Sequence, residues 1–85
     1  MYTLKFMSDT ERRFIEVASF DVHFRLDGLV VINYSHYERW DKLRHDEVVL
    51  KDDLDHFGTL HVINSSGAVV DRVHAPAKID LEKAA

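Results

Sequence analysis

The chain has 85 residues, which is enough for one domain and no more. With 46% hydrophobic and 31% charged residues, its composition is typical of a folded protein and excludes intrinsic disorder. There is no cysteine, which excludes a disulfide framework, a thiolate zinc site and a cysteine nucleophile. The net charge of -4 argues against a general polyanion-binding protein.

No apolar run approaches the roughly 20 residues that a transmembrane helix needs. Residues 1–7 also lack the basic start, the long apolar stretch and the small-residue cleavage site of a secretory signal. We therefore expect a soluble cytoplasmic protein without a membrane partner.

The chain contains few residues that interrupt regular structure, since Pro76 is the only proline and there are three glycines. We therefore predict a single β-rich domain over residues 1–76, followed by a C-terminal tail over residues 77–85. The tail is small, charged and compatible with a short helix, and terminal segments of this kind are often poorly ordered unless a neighbour docks them.

Alternation of apolar and polar residues with a period of two is the dominant pattern, and it predicts strands. The strands are expected over residues 2–7, 20–26, 30–37, 47–51, 59–64 and 68–74. The predicted fold class is mainly β, a small antiparallel sheet packed as a sandwich or barrel of about five to six strands, with at most one or two short helices.

The first predicted hairpin turns at Gly28. A two-residue Asp27-Gly28 loop would mix apolar and polar faces, whereas a three-residue loop, Leu26-Asp27-Gly28, matches them and puts Gly28 in the left-handed conformation. That register pairs Phe24 with Val30, Val22 with Ile32 and Phe20 with Tyr34.

The second predicted hairpin turns at Ser65-Ser66-Gly67, which has the same form, with glycine where a positive φ is needed. It pairs Val62 with Val70, Leu60 with Arg72 and His61 with Asp71.

Two segments allow a helix. Ser8-Asp9-Thr10-Glu11 matches a capping box, so an α+β fold with a helix at 9–19 is the alternative. The β-prone residues at 14–17 favour a strand instead, with Phe14, Ala18 and Phe20 on one face. Residues 38–45 have apolar positions at helical spacing and predict one or two helical turns.

Both faces of the predicted sheet carry apolar side chains. Leu29 and Val31 lie opposite the face that presents Phe20 and Phe24. A second layer, a barrel or a dimer interface would each cover the second face.

Six histidines are many for this length, but no H-E-x-x-H or H-x-H spacing is present, so we expect no metal site. The acidic residues 46–55 lack the glycine and terminal glutamate of an EF-hand loop and fit a solvated turn. No catalytic motif or phosphate-binding glycine loop occurs, so we expect neither an enzyme nor a cofactor.

The predicted partner-binding site lies in the segment 34–45, which combines tyrosine, tryptophan and arginine, the residue types enriched in interface hot spots. The acidic loop after it could add to that surface. The candidate residues are Tyr34, His36, Tyr37, Arg39, Trp40, Arg44, Asp52, Asp53 and Asp55.

These features favour a small non-enzymatic protein-interaction module. Inhibitors encoded by phages or mobile elements have this general profile, and they act by steric occlusion of a macromolecular partner. A homo-oligomeric structural component, such as a homodimer, is the alternative. A small barrel that binds single-stranded nucleic acid is the second alternative, which the acidic loop weakens.

Overall fold

The computed structural model describes residues 1–53 and 55–76, and the regular secondary structure in these residues is entirely β-strand. The strands are β1 (Tyr2–Met7), β2 (Arg12–Val17), β3 (Ser19–Phe24), β4 (Val30–Arg39), β5 (Lys42–Leu50), β6 (Thr59–Ile63) and β7 (Val69–His74). They form two antiparallel sheets, ordered β2-β1-β6-β7 and β3-β4-β5. The predicted mainly β fold class is confirmed.

The core lies between the two sheets, and each sheet contributes alternate side chains to it. Its buried members are Leu4, Phe6, Val17, Val30, Ile32, Tyr34, Leu50, Leu60, Val62 and Val73. Apolar burial of this kind is worth about 1.5–3 kcal/mol for each large side chain that leaves water, so this layer holds the sheets together. The molecule is a two-sheet sandwich.

The helix expected as an alternative at 9–19 does not form. Residues 12–17 and 19–24 are two strands in different sheets, with Ala18 between them. The capping-box residues close the β1–β2 turn, where Ser8 Oγ accepts a 3.0 Å bond from the Glu11 N–H. The Glu11 carboxylate contacts Arg13 at 3.4 Å and does not reach back to Ser8. The residues that match a capping box therefore stabilise a turn between two strands and not the start of a helix.

The inward face of β2 differs from the prediction. Phe14 is 60% exposed, because the β1–β2 register places it opposite Lys5, on the outer face of the sheet. The Lys5 ammonium lies 5.5 Å from the centre of the Phe14 ring. Ile15 packs against the core and Val17 is buried in it. The chain changes sheets at Ala18, so the alternation of β3 does not extend back into β2.

The first hairpin is confirmed. Gly28 has φ = 88°, and its N–H donates to Arg25 O at 3.0 Å, while the Arg25 N–H donates to Leu29 O at 2.8 Å. The register pairs Phe24 with Val30, Val22 with Ile32 and Phe20 with Tyr34, as predicted. Phe20 packs against the core, but Phe24, the last residue of β3, is 69% exposed.

The second hairpin has the predicted turn but a different register. Gly67 has φ = 89°, and Ile63 pairs with Val69. A bulge then shifts the ladder, so the observed pairs are Val62 with Asp71, His61 with Arg72 and Leu60 with Val73. The predicted register would have put the Arg72 guanidinium opposite buried Leu60, and the bulge removes that desolvation penalty.

The second face of the three-stranded sheet is partly covered. Val31 is only 4% exposed although it lies outside the core cluster, and Leu29 is half-buried. The predicted tail, 77–85, lies outside the described residues, as does residue 54 in the β5–β6 loop. Within the described residues there is no helix that could cross a membrane.

Candidate interaction surface

Strands β4 and β5 extend beyond the three-stranded sheet as a two-stranded ribbon, residues 36–44. Strand β3 pairs with β4 only as far as Ser35, whereas the β4–β5 ladder continues to Arg39 and Lys42. The helical turns expected at 38–45 are therefore wrong. The segment is extended instead, and Tyr37 pairs across the ribbon with Leu43.

The ribbon ends in a turn at Trp40 and Asp41. No described non-glycine residue has a positive φ, so this turn is neither of the two types, I′ and II′, that hairpins prefer. A register shift between Tyr37 and Arg39 leaves Glu38 as an extra residue on β4. Bulges of this kind increase the local twist, which lets a less favourable turn close the ribbon.

Three apolar side chains are exposed on the ribbon. Trp40 is 88% exposed, Tyr37 54% and Leu43 43%. Tyr37 and Leu43 lie directly opposite each other, and Trp40 follows at the turn. We call these three residues the apolar tip. A tryptophan that is almost wholly in water contributes little to the core.

The charges on the ribbon are paired with one another. Glu38 lies 3.2 Å from Lys42 Nζ and 3.3 Å from Arg44 Nη1, and Arg39 Nε lies 3.5 Å from Asp41. Each pair is exposed, so it contributes about 0–1 kcal/mol to stability. The main effect of the pairs is to leave the ribbon close to electrically neutral.

Tyr34 belongs to the core and not to the exposed surface. It is 9% exposed, with its ring centre 6.1 Å from that of Phe6 and 5.6 Å from that of His36. Burial raises the pKa of the Tyr34 hydroxyl, and the Asp46 carboxylate adds to this, while Arg13 acts in the opposite direction. A partner at the ribbon would not reach this side chain.

His36 lies at the base of the ribbon, with its Nε2 2.7 Å from Asp46 Oδ2. The imidazole is half-buried beside Tyr34. Ser35 points to the opposite face of β4, where it is buried and hydrogen-bonded to the Ser19 hydroxyl. The adjacent Ser35 and His36 therefore do not form a nucleophile–base pair.

The acidic loop is at the far end of β5. Asp52, Asp53 and Asp55 line an open cavity of about 780 Å³ together with His56 and His74. The hydrogen bond from His56, 2.7 Å long, lowers the pKa of the Asp53 carboxyl, and the Asp55 N–H adds to the effect.

Two parts of the predicted site are therefore separated. The strand β5 has nine residues, which at the usual rise spans about 27 Å between the ribbon turn and the acidic loop. Tyr37, Arg39, Trp40 and Arg44 lie together on the ribbon, and the three aspartates do not join them.

The expected His61–Asp71 pair does not form, because the bulge brings Arg72 opposite His61. Burial lowers the pKa of His61, and Arg72, Lys5 and His74 lower it further. Across residues 1–53 and 55–76, no three His, Asp or Glu side chains are placed to hold a metal ion.

Leu43 and Glu38 lie in the segment 34–45 but are not among the candidate residues predicted from the sequence. A regular hairpin with a two-residue turn at Trp40 and Asp41 would place Leu43 opposite Glu38, and only the bulge at Glu38 brings Leu43 opposite Tyr37. The turn residues lack the glycine that marks such hairpins, so the sequence signals neither the turn nor the bulge.

This chain matches no family model, no curated protein and no solved structure.

Proposed function

We propose that the protein is a non-enzymatic protein-interaction module and that its contact surface is the apolar tip with its flanking arginines. The observation that carries this proposal is the 88% exposure of Trp40 at the end of a ribbon that pairs with no third strand among the described residues. Burying this indole against a partner would recover the hydrophobic free energy that the fold leaves unused.

The shape of the ribbon favours a partner with a concave surface. A two-stranded ribbon with Trp40 at its end is convex, so it fits a cleft better than a flat face. Filling the working cleft of a macromolecule would block it sterically, which is the inhibitory mode that we propose. Tyr37 and Leu43 would line the wall of the cleft, and Arg39 and Arg44 would lie at its rim.

The charge pattern supports a protein partner over a nucleic acid. Arg39, Lys42 and Arg44 are each within 3.5 Å of an acidic side chain of the same ribbon. A phosphate would have to compete with Glu38 and Asp41 for these cations. Binding to nucleic acid depends on basic groups that are free to displace counterions.

The test begins with affinity purification from the cells that express the protein, after which each captured candidate is purified and titrated. We expect Trp40→Ala to weaken binding by about 30-fold, the effect of losing a hot-spot aromatic. The Tyr37→Ala/Arg39→Ala double variant should also weaken it. Phe24→Ala is the matched control, because Phe24 is 69% exposed but lies outside the ribbon.

Equal affinity of wild type and Trp40→Ala would contradict the proposal. So would an equal loss with Phe24→Ala, because that result would indicate general stickiness of exposed aromatic side chains. Circular dichroism of each variant checks that the fold is retained.

A further inference from the structure

Among the described residues, strand β5 pairs only with β4, so one edge of it is unpaired there. Its side chains from Lys42 to Glu47 are all exposed. The row of N–H and C=O groups along such an edge can pair with another strand. What pairs there depends on which groups point outward and on the charges beside them.

Hydrogen bonds at the β3–β4 turn fix the direction of the backbone groups. The Arg25 N–H donates to Leu29 O at 2.8 Å, so the groups of Leu29 point toward β3. Direction alternates along a strand, so the even-numbered residues of β4, from Val30 to His36, point toward β5.

The β4–β5 register gives the direction of the backbone groups in β5 as well. Arg44 and Asp46 are opposite His36 and Tyr34, so their backbone groups point toward β4. The groups of the odd-numbered residues therefore point away from β4, and these residues are Leu43, His45 and Glu47. Lys51, which is also odd-numbered, has the same direction: its N–H points away from β4 and donates to Phe57 O in the loop at 3.1 Å.

The charges along this edge change sign midway. Lys42 and Arg44 precede His45, and Asp46 and Glu47 follow it. A strand with this pattern is complementary to a second copy of itself in antiparallel orientation, because the basic half of each then lies beside the acidic half of the other.

We propose that two copies of this chain pair through β5, antiparallel and centred on His45. In this register His45 of one copy is opposite His45 of the other, and the outward backbone groups form hydrogen bonds. Arg44 of each copy lies opposite Asp46 of the other, at the closely spaced positions where cross-strand side chains are nearest. The two three-stranded sheets become one continuous sheet.

Neighbouring registers are less favourable. Outward groups must meet outward groups, so the register can change only in steps that keep odd residues opposite odd residues. One such step places Arg44 opposite Arg44, and the other places Asp46 opposite Asp46. Like charges directly opposite each other destabilise a strand pair.

Existing ion pairs are compatible with this arrangement. Arg44 already contacts Glu38 at 3.3 Å, and a guanidinium has five N–H donors, so it can also reach Asp46 of the other copy. Asp46 has two carboxylate oxygens, of which Oδ2 contacts His36. The proposal does not rest on the function proposed for the apolar tip. Leu43 and Arg44 belong to both surfaces, but pairing through β5 is also tested at His45 and Asp46, which lie outside the apolar tip and its flanking arginines.

The test is sedimentation equilibrium of wild type and two charge-reversed variants. We expect wild type to approach twice the 9.9 kDa mass of one chain as the concentration rises. Arg44→Glu and Asp46→Arg should each be monomeric, because each places like charges opposite each other. An equimolar mixture of the two should dimerise, since both cross-strand pairs are then restored.

Arg25→Glu is the matched control, because it makes the same charge change outside β5 in a salt bridge of similar exposure. It should dimerise like wild type. A second variant, His45→Pro, removes an outward N–H while leaving the bonds to β4 in place, and it should be monomeric.

Amide exchange gives the register directly. With rising concentration, the amides of Leu43, His45 and Glu47 should become protected, while those of Arg44 and Asp46 change little. A wild-type chain that stays monomeric at every concentration would overturn the proposal. Dimers of His45→Pro, or a mixture of the charge variants that stays monomeric, would also overturn it.

Discussion

Val70 is an extra residue in β7, and it decides which side chains of that strand enter the core. Val69 and Asp71 pair with consecutive residues of β6, which leaves Val70 unpaired and 53% exposed. Val73 is then 8% exposed in the core, opposite Leu60. The predicted register instead paired Val70 with Val62, which is buried in the core.

The two registers predict different costs for the same substitution. With the bulge, Val73→Ala removes two buried methyl groups and should lower the free energy of unfolding by about 1.5–3 kcal/mol. Val70→Ala is the matched control and should change it by less than about 0.5 kcal/mol. Urea denaturation measures both, and a larger cost at Val70 would contradict the bulge.

At the scale of elements, the predictions succeeded where local chemistry specifies structure. In the first hairpin, strict alternation selects the three-residue loop Leu26-Asp27-Gly28, and Gly28 supplies the positive φ that this loop needs. The segment 38–45 has neither. Trp40 and Leu43 have helical spacing, and only the cross-strand pairing of Leu43 with Tyr37, which depends on the bulge at Glu38, shows that the segment is extended.

The same difference explains how much of the candidate site could be predicted. Residue types alone were enough to single out Tyr37, Arg39 and Trp40, which are exposed together on the ribbon. Tyr34 was also included, although it lies opposite Phe20 in the register that the first hairpin dictates. The acidic loop is separated from the ribbon by the length of β5, which begins at Lys42 and not at residue 47 as predicted.

The left-handed glycines that end two hairpins are open to a direct test. Gly28 and Gly67 have φ near 90°, and an added Cβ would meet no atom within 4 Å. Gly28→Ala and Gly67→Ala should therefore each cost about 1–2 kcal/mol, from backbone conformation alone. Gly58→Ala is the control, because φ of Gly58 lies outside the left-handed region and a Cβ added there would lie 3.5 Å from Lys51 O, an ordinary van der Waals distance. Thermal or urea denaturation measures the difference, and equal costs at all three positions would contradict this explanation.

At the scale of the whole molecule, the sandwich and the ribbon differ in how much packing stabilises them. Each sheet of the sandwich is covered by the other, whereas among the described residues the ribbon has a single ladder and mostly exposed side chains on both faces. Two-stranded hairpins are marginally stable by themselves. Local opening should therefore begin at the ribbon while the core remains closed.

Hydrogen exchange of two amides in β5 tests whether the ribbon opens first. The measurement is made at low protein concentration, so that two copies of the chain do not pair through β5. The amides of Arg44 and Val48 both point toward β4, but Val48 lies where β3 completes the sheet, opposite Ile32. The Arg44 amide should exchange at least about tenfold faster, a difference of about 1.4 kcal/mol in opening free energy. Equal protection would mean that the ribbon and the sandwich open as one unit. A partner that seats on Trp40 should slow exchange at Arg44 and leave Val48 unchanged, because only the ribbon gains new contacts.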